Sequence, residues 1–590
     1  MIVEKIVKLR EKMRENGIDM YIIPTSDPHN SENVPDCYKT REFISGFTGS
    51  AGTVIITKEE AGLWTDGRYF IQAAKQLEAS GIKLFKIGET GVPTMKEFLY
   101  EEFTKDYKIG FNGETFPLWL LDYIAKDIPE ENIKYDLHLI EDIWENRPEK
   151  PSNKAFLLDE KYTGMSALEK LNKIRKSLDE KGATSYLITS LDDIAYVLNI
   201  RGSDVLNTPV ILSYLYINKE GAILFVDENK IPEDVKSYLK KSHVEIRDYE
   251  SIFDFIKGLN ESEVLFFDKK NINVKLYKSI PEKVETIEGR DISTELKAVK
   301  NETEIKNQKN AYIKDGVALV KFFSWLERSL EEEVPVSELD CSNKLLEFRQ
   351  EQDLFMEPSF GTISAYGENA ALPHYSPSQS SPVFLEKKGL YLLDSGGQYQ
   401  DGTTDITRTV ALGELTKDEI FHYTLTLKSH INLMTAKFKE KTKSSSLDIF
   451  ARGPLWKEGI DFNHGTGHGV GFVLAVHEGP QNISKVNNDV DMVPGMVTSN
   501  EPGVYVEGSH GIRIENIMVC VEKCETEFGK FYGFESLSMV PIDTRPVDVS
   551  LLTEEEKNWL NDYHKKCFEI LSPHLDSEDL VYLREATKEI

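Results

Sequence analysis

The chain has 590 residues, 40% of them hydrophobic and 29% charged. That balance excludes a disordered or fibrous protein and fits a soluble globular one of three or four domains, at ~100–200 residues each. A formal charge of -29 argues against a nucleic-acid or anionic-membrane partner, since both need Lys and Arg to neutralise phosphates; it mildly favours cationic ligands such as a peptide amino terminus.

The first seventeen residues, MIVEKIVKLREKMRENG, predict a charged amphipathic helix with no apolar signal-peptide core. No apolar run approaches the ~18 residues needed to cross a bilayer. The five cysteines (Cys37, Cys341, Cys520, Cys524, Cys567) are odd in number and scattered, which suits free thiols in a reducing compartment. A cytoplasmic location is therefore expected. A weak internal repeat follows. Val3–Asp27 and Leu168–Asp192 align so that Ile6, Leu9, Met13 and Gly17 fall on Leu171, Ile174, Leu178 and Gly182. Tyr21-Ile22-Ile23 then falls on Tyr186-Leu187-Ile188. Each copy predicts an amphipathic helix, a glycine stop and a short apolar strand. Two related α/β domains are expected, 1–155 and 156–300, joined by the polar, two-proline stretch Glu145–Asn153.

After Gly289-Arg290-Asp291 the pattern becomes helical from Thr294 to Leu330. This helix opens a third domain, 301–590, with a helical extension over about 545–590. In that extension Thr553 and Glu556 form a capping box before a helix bearing Trp559, Leu560, Tyr563 and Cys567. Such a helix reads as a packing element or a dimer contact.

The third domain also holds the polar clusters. In LYLLDSGGQYQDGTTDITRT an apolar run delivers Asp394, a Gly/Asp-rich turn follows, and Asp405 sits on an alternating return strand. A hairpin of this length brings the two carboxylates together, and paired carboxylates facing a core need a positive charge between them. An Asp pair alone reads as two surface turn residues, and Asp401 is the candidate for that fate. HGTGHGVGFVLAVHEGP places His464, His468 and His477 in a glycine-rich stretch of a chain with 12 histidines; the glycines argue for an irregular loop. In NEPGVYVEGSHGIRIEN, Gly508 and Gly511 supply a turn that sets Glu501 opposite Glu515. Ile512 and Ile514 then point one way, Arg513 and Glu515 the other. Four carboxylates and one or two imidazoles suit Mn²⁺, with Co²⁺ or Zn²⁺ as alternatives. Two ions ~3.5–4 Å apart balance that charge better than one, and such a pair points to hydrolysis.

The order D-x10-D, H, E, E, together with DITRT, HGTGHGVG, NEPG and GIRIEN, resembles the pita-bread metallopeptidases of family M24. More narrowly the chain resembles their long, three-domain Xaa-Pro aminopeptidase (aminopeptidase P) branch. REFISGFTGSAG at 41–52, LWTDGRYFIQA, IRGSDVLNTP at 200–209 and the tail WLNDYHKKC are all in that style. The resemblance implies two creatinase-N-like α/β domains before an α+β pita-bread catalytic domain. It implies that Asp394, Asp405, His468, Glu501 and Glu515 hold two divalent ions, most often manganese, with Asp405 and Glu515 bridging. It makes Glu501 the general base as well as a ligand, acting on the water that bridges the two metals and becomes the attacking hydroxide. His374 (in LPHYSP) and His477 orient substrate and stabilise the tetrahedral intermediate, His464 lies on the prolyl side, and Arg513 and Tyr505 link to Asp394 and assist proton movement. The implied substrates are peptides with proline in second position, the first residue being released, and the implied assembly is a cytosolic homodimer with no nucleic-acid or membrane partner. The alternatives are prolidase, which cleaves Xaa-Pro dipeptides with the same ligands, and a non-catalytic binding module, which should lack ligands. Creatinase shares the fold without this metal set. His29, His138, His243, His422, His430, His510, His564 and His574 have no supporting context and read as structural. Gly397 and Val504 depart from the family pattern without touching a ligand.

Overall fold

The computed structural model describes residues 1–102 and 107–590. The chain divides into two compact units. The first comprises Met1–Leu158 and Met165–Ser293; the second comprises Asp159–Gly164 and Thr294–Ile590.

The first unit contains the internal repeat twice over, as structure. Helix Ile2–Glu15 buries Ile6, Leu9 and Met13, and helix Ala167–Lys181 buries Leu171, Ile174 and Leu178. Each of these side chains contributes roughly 1.5–3 kcal/mol by leaving water. Gly17 and Gly182 close the helices at φ +64° and +76°, a conformation that penalises any side chain with a Cβ. The strands that follow, Met20–Pro24 and Ser185–Ile188, sit in two six-stranded sheets of the same order. The first sheet runs Lys83–Lys86, Ala61–Thr65, Thr53–Thr57, Met20–Pro24, Ile109–Gly110, Ile133–Lys134. The second runs Val244–Arg247, Ala222–Val226, Ser213–Asn218, Ser185–Ile188, Val264–Phe267, Glu285–Glu288. Parallel and antiparallel neighbours also match: each repeat strand is antiparallel to one neighbour and parallel to the other.

In the second unit the predicted Thr294–Leu330 helix is two helices, Ile292–Ala298 and Glu302–Glu331. The break comes from Asn301, whose side chain caps the backbone N–H groups of Thr303 and Glu304 while Glu304 bonds back, the capping-box arrangement that starts a helix. Tyr312, Leu319, Phe322, Phe323 and Leu326 of the long helix pack on Tyr391, Leu393, Ile406, Val410, Val497 and Ile517 from the sheets. Those sheets are curved pieces: Ile363–Tyr366, Leu390–Ser395 and Ile406–Ala411 in one, and six strands including Gly467–Gly469, Val497–Asn500 and Asn516–Thr526 in another. This unit is α+β in character, whereas the first is α/β. The tail helix Glu554–Leu571 carries the expected Thr553/Glu556 capping box. It buries Leu560, Tyr563 and Cys567 against Leu390, Tyr423, Ile512 and Ile514, so here it is a packing element.

Candidate metal centre

Three pieces of sheet aim polar side chains at one place. Leu390–Ser395 pairs antiparallel with Ile406–Ala411, with Asp394 opposite Thr407. Alternation puts Asp405, Thr407 and Thr409 on one face: the Thr407 hydroxyl donates to Glu515 Oε2 at 2.7 Å and the Thr409 hydroxyl to the Arg513 carbonyl at 2.9 Å. Ile406 and Val410, facing away, enter the core. The second piece is the hairpin Gly503–Val506 with His510–Arg513, in which Gly503 opposes Arg513. Ile512 and Ile514 pack into the core and turn Arg513 and Glu515 the other way. The third is Gly467–Gly469, paired beside Val497–Asn500. The glycine-rich stretch expected to be an irregular loop therefore contributes a short strand. His468 N–H donates to Ser499 Oγ at 2.9 Å, and Ser499 donates to Glu501 Oε1 at 3.0 Å.

Asp405, His468 and Glu515 each offer a ligand atom, all within 4.8 Å of one another. His468 Nε2 stands 3.4 Å from Asp405 Oδ2 and 3.3 Å from Glu501 Oε1. Asp394 is held by Arg513, Nη2 to Oδ2 at 2.6 Å. Burial is the main reason that the Asp394, Glu501 and Glu515 carboxyls lie above the usual range, Glu515 well above it. Mutual repulsion adds to it: Asp405 raises all three. Arg513 and His468 work against the rise at Glu501.

A divalent cation fits this donor set on two observations. Asp394 Oδ1 and Glu515 Oε1 are buried without a hydrogen-bond partner, a state that is expensive for a carboxylate unless a cation completes it. His468 Nδ1 lies 2.9 Å from the Gly469 carbonyl, so Nδ1 donates there and Nε2 is the ring nitrogen turned toward the carboxylates. That backbone bond is the outer-shell support metal-bound histidines use. His468 and Glu501 are 20% and 18% exposed while Asp405 is 6% exposed, so the cluster opens on the His468/Glu501 side.

The other predicted residues surround it. Arg513 Nη1 donates to Tyr505 OH at 2.7 Å, and Tyr505 OH lies 2.7 Å from His464 Nε2. His464 Nδ1 faces the Gly465 carbonyl at 2.7 Å. A directed chain results, from Arg513 through Tyr505 to His464, whose imidazole is kept neutral by burial and by Arg513, its pKa lowered to about 3. Burial pushes Tyr505 up to about 12. The His477 ring meets the His468 ring edge-on, centroids 4.3 Å apart. His374 follows Pro373, whose carbonyl accepts from Arg513 Nη2 at 3.4 Å. Asp401 is a correction. It is not a surface turn residue but is buried, with Lys314 Nζ at 2.5 Å; the turn tip folds back under the long helix. The sequence reading missed Thr407, Ser499 and Arg408. Alternation places Thr407 on the face of Asp405, and Ser499 is two residues before Glu501, so the first two carried a signal. Arg408 did not: it bonds the Glu515 carbonyl (2.6 Å), Asn516 Oδ1 (2.8 Å) and Tyr563 OH (3.0 Å), all far away in sequence.

Known families match along the whole chain. The creatinase/prolidase N-terminal domain matches residues 5–143 and, in a second form, 146–304. Metallopeptidase family M24 matches 306–522 and the C-terminal region of peptidase M24 matches 530–590. Aminopeptidase P2 of Arabidopsis thaliana is 42% identical over 97% of this chain and 86% of its own length. The chain belongs to metallopeptidase family M24. Within the family it also matches Xaa-Pro aminopeptidase 1 of Dictyostelium discoideum, 40% identical over 98% of this chain and 94% of that one. Among solved structures, the X-prolyl aminopeptidase of Caenorhabditis elegans, described as a cytosolic enzyme with a di-nuclear active site, superposes with a TM-score of 0.96. It is 35% identical, with 100% of both chains covered. A prolidase from Thermococcus sibiricus superposes at 0.52, is 26% identical and covers 65% of this M24 chain and 99% of its own.

Proposed function

We propose that this M24 chain is a metal-dependent Xaa-Pro aminopeptidase, removing the first residue from peptides that have proline second. One observation carries the proposal. Four carboxylates and an imidazole whose Nε2 faces them converge around unpartnered buried oxygens, in a chain that matches an X-prolyl aminopeptidase over its whole length. Asp394, Asp405, His468, Glu501 and Glu515 would hold two divalent ions, Mn²⁺ before Co²⁺ or Zn²⁺ on this oxygen-rich donor set. When bound, such a pair makes water acidic near neutral pH and polarises the scissile carbonyl. Glu501, steadied at one oxygen by Ser499 and lying on the open side, takes a proton from the attacking water. It delivers that proton to the prolyl nitrogen, which carries no hydrogen of its own in an Xaa-Pro bond and leaves as a secondary amine. His374 and His477 hold the substrate and stabilise charge on the carbonyl oxygen, and His464 lines the prolyl side. Arg513 holds Asp394, Tyr505 braces Arg513, and the Tyr505 hydroxyl with His464 gives protons a route along the wall. Cytosolic residence and a homodimer belong to the same proposal. No helix among the described residues is long and apolar enough to cross a membrane.

The test is release of X from an X-Pro-Y tripeptide and an X-Pro dipeptide, each with EDTA and with added Mn²⁺. Tripeptide cleavage that EDTA abolishes and Mn²⁺ restores is the expected result. Cleavage of the dipeptide alone makes the enzyme a prolidase. A metal-loaded protein inert on both overturns an enzymatic role.

A further inference from the structure

Glu338 is 1% exposed and takes no part in the chemistry above. It is the first residue of helix Glu338–Gln350, where the unpaired N–H groups and the helix dipole favour a negative charge. Its carboxylate is surrounded by donors from one segment. The Tyr366 N–H reaches Oε1 at 2.6 Å, Asn369 Nδ2 reaches Oε1 at 3.0 Å and Oε2 at 3.3 Å, and Tyr375 OH reaches Oε2 at 2.6 Å. Its backbone joins in: the Glu338 N–H donates to the Val383 carbonyl at 3.0 Å and the Glu338 carbonyl accepts from Ser364 Oγ at 2.6 Å.

The segment so fastened runs from Tyr366 to Val383 and contains His374. The turn Gly367–Ala371 lies against strand His510–Arg513 so closely that a Cβ on Gly511 would fall 1.7 Å from the Ala370 carbonyl. Beyond Tyr375 the chain has no regular structure, and Ser376 and residues 378–382 are exposed. Tyr375 is thus the last tethered side chain before a solvent-exposed stretch, and it is the next residue after His374. Tyr375 is held at its backbone as well, its N–H donating to the Leu372 carbonyl at 3.0 Å, and its hydroxyl also accepts from Asn369 Nδ2 at 3.1 Å.

We propose that Glu338, acting through the Tyr375 hydroxyl, is the positioning residue that sets His374 in the active site. The proposal rests on His374 being a substrate-holding group. Hydrogen bonds to a charged acceptor are the strong kind, and a misplacement of about 1 Å can cost two orders of magnitude in rate. Removing one such bond with the shape preserved should lower kcat/KM about tenfold. Tyr375→Phe is the variant of choice, and Glu338→Gln is the second: its amide keeps the shape and one acceptor but turns a donor toward a group that already donates.

The experiment measures kcat/KM on an X-Pro-Y tripeptide with excess Mn²⁺ for the parent, His374→Ala, Tyr375→Phe, Glu338→Gln and the doubles of each with His374→Ala. Melting temperature and bound metal are read alongside. The expected result is a drop of about tenfold for Tyr375→Phe and for Glu338→Gln in the parent, and less than about twofold in the His374→Ala background. A purely structural role moves both backgrounds equally, so equal losses overturn the proposal, as does parent-like activity of Tyr375→Phe. If Tyr375→Phe fails to fold, Glu338→Gln decides by the same comparison. A parent inactive on the tripeptide, or a His374→Ala variant as active as the parent, defeats instead the functional reading on which the proposal stands.

Discussion

Replacing Arg513 by Met probes the charge balance of the cluster. The guanidinium is 3% exposed and bonds Asp394 at 2.6 Å, Tyr505 at 2.7 Å and Thr407 at 3.3 Å. Met fills much of the same space with no donors, leaving Asp394 buried with Oδ1 already unpartnered. Breaking a buried pair from one side costs roughly 3–5 kcal/mol. At ~2–4 °C per kcal/mol for a domain of ~150–250 residues, the metal-free protein should melt about 6–20 °C lower, toward the smaller figure for a larger unit. A cation bound among the carboxylates replaces part of the lost charge, and ligands that bind only the folded state stabilise it by mass action. The deficit should therefore shrink in excess Mn²⁺. Arg513→Lys, which keeps the charge but not the fork, should fall between. The assay is thermal unfolding in EDTA and in Mn²⁺. A metal-free Arg513→Met protein melting within about 2 °C of the parent, or a deficit equal in both conditions, refutes the view that Arg513 offsets these carboxylates.

Glu501→Gln keeps shape but cannot take a proton, and turnover should fall by ~10²–10⁴ with unchanged circular dichroism; near-normal rates remove Glu501 as the base. Gly511→Ala puts a methyl 1.7 Å from the Ala370 carbonyl, so the turn before His374 must move. A loss of about 1–3 kcal/mol in stability and a lower kcat/KM are expected, and an unchanged melting point with parent activity would mean the turn yields freely. His29, in the first unit, is 2% exposed and bonds the Thr189 carbonyl and Tyr249 OH, each at 2.8 Å. Burial lowers its pKa to about 4, whereas the unfolded value is ~6.5. Between those values the unfolded chain binds the extra proton, so His29's contribution is complete above pH ~6.5 and declines as pH falls toward ~4, by up to about 3 kcal/mol. Urea unfolding across that window should show a steeper loss in the parent than in His29→Phe, and parallel slopes would sink the assignment.

The sequence carried more of the fold than of the site's wiring. The helix–glycine–strand repeat was legible because it depends on spacing within a couple of turns, and Gly17 and Gly182 are needed for a backbone angle that local chain geometry imposes. The two-helix break at Asn301 was equally local but was missed, because Asn301 reads as one polar residue among many until its side chain is seen to cap Thr303 and Glu304. Strand alternation likewise anticipated that Ile512 and Ile514 would face one way and Arg513 and Glu515 the other.

By itself the sequence determined the α/β and α+β character, the order along the chain of the carboxylates and the histidine that cluster and, through whole-length resemblance, the family. It did so because periodicity, caps and turns are written into neighbouring residues. Only the tertiary structure decided which groups neutralise which. Arg513 meets the Asp394 carboxylate across 119 residues and Lys314 takes Asp401 out of the surface across 87, while Arg408 holds only the backbone carbonyl of Glu515, across 107. Partners of that kind are chosen when the sheets close and water leaves, and an ion pair's energy depends on that final distance and burial, neither of which is a property of any stretch of sequence.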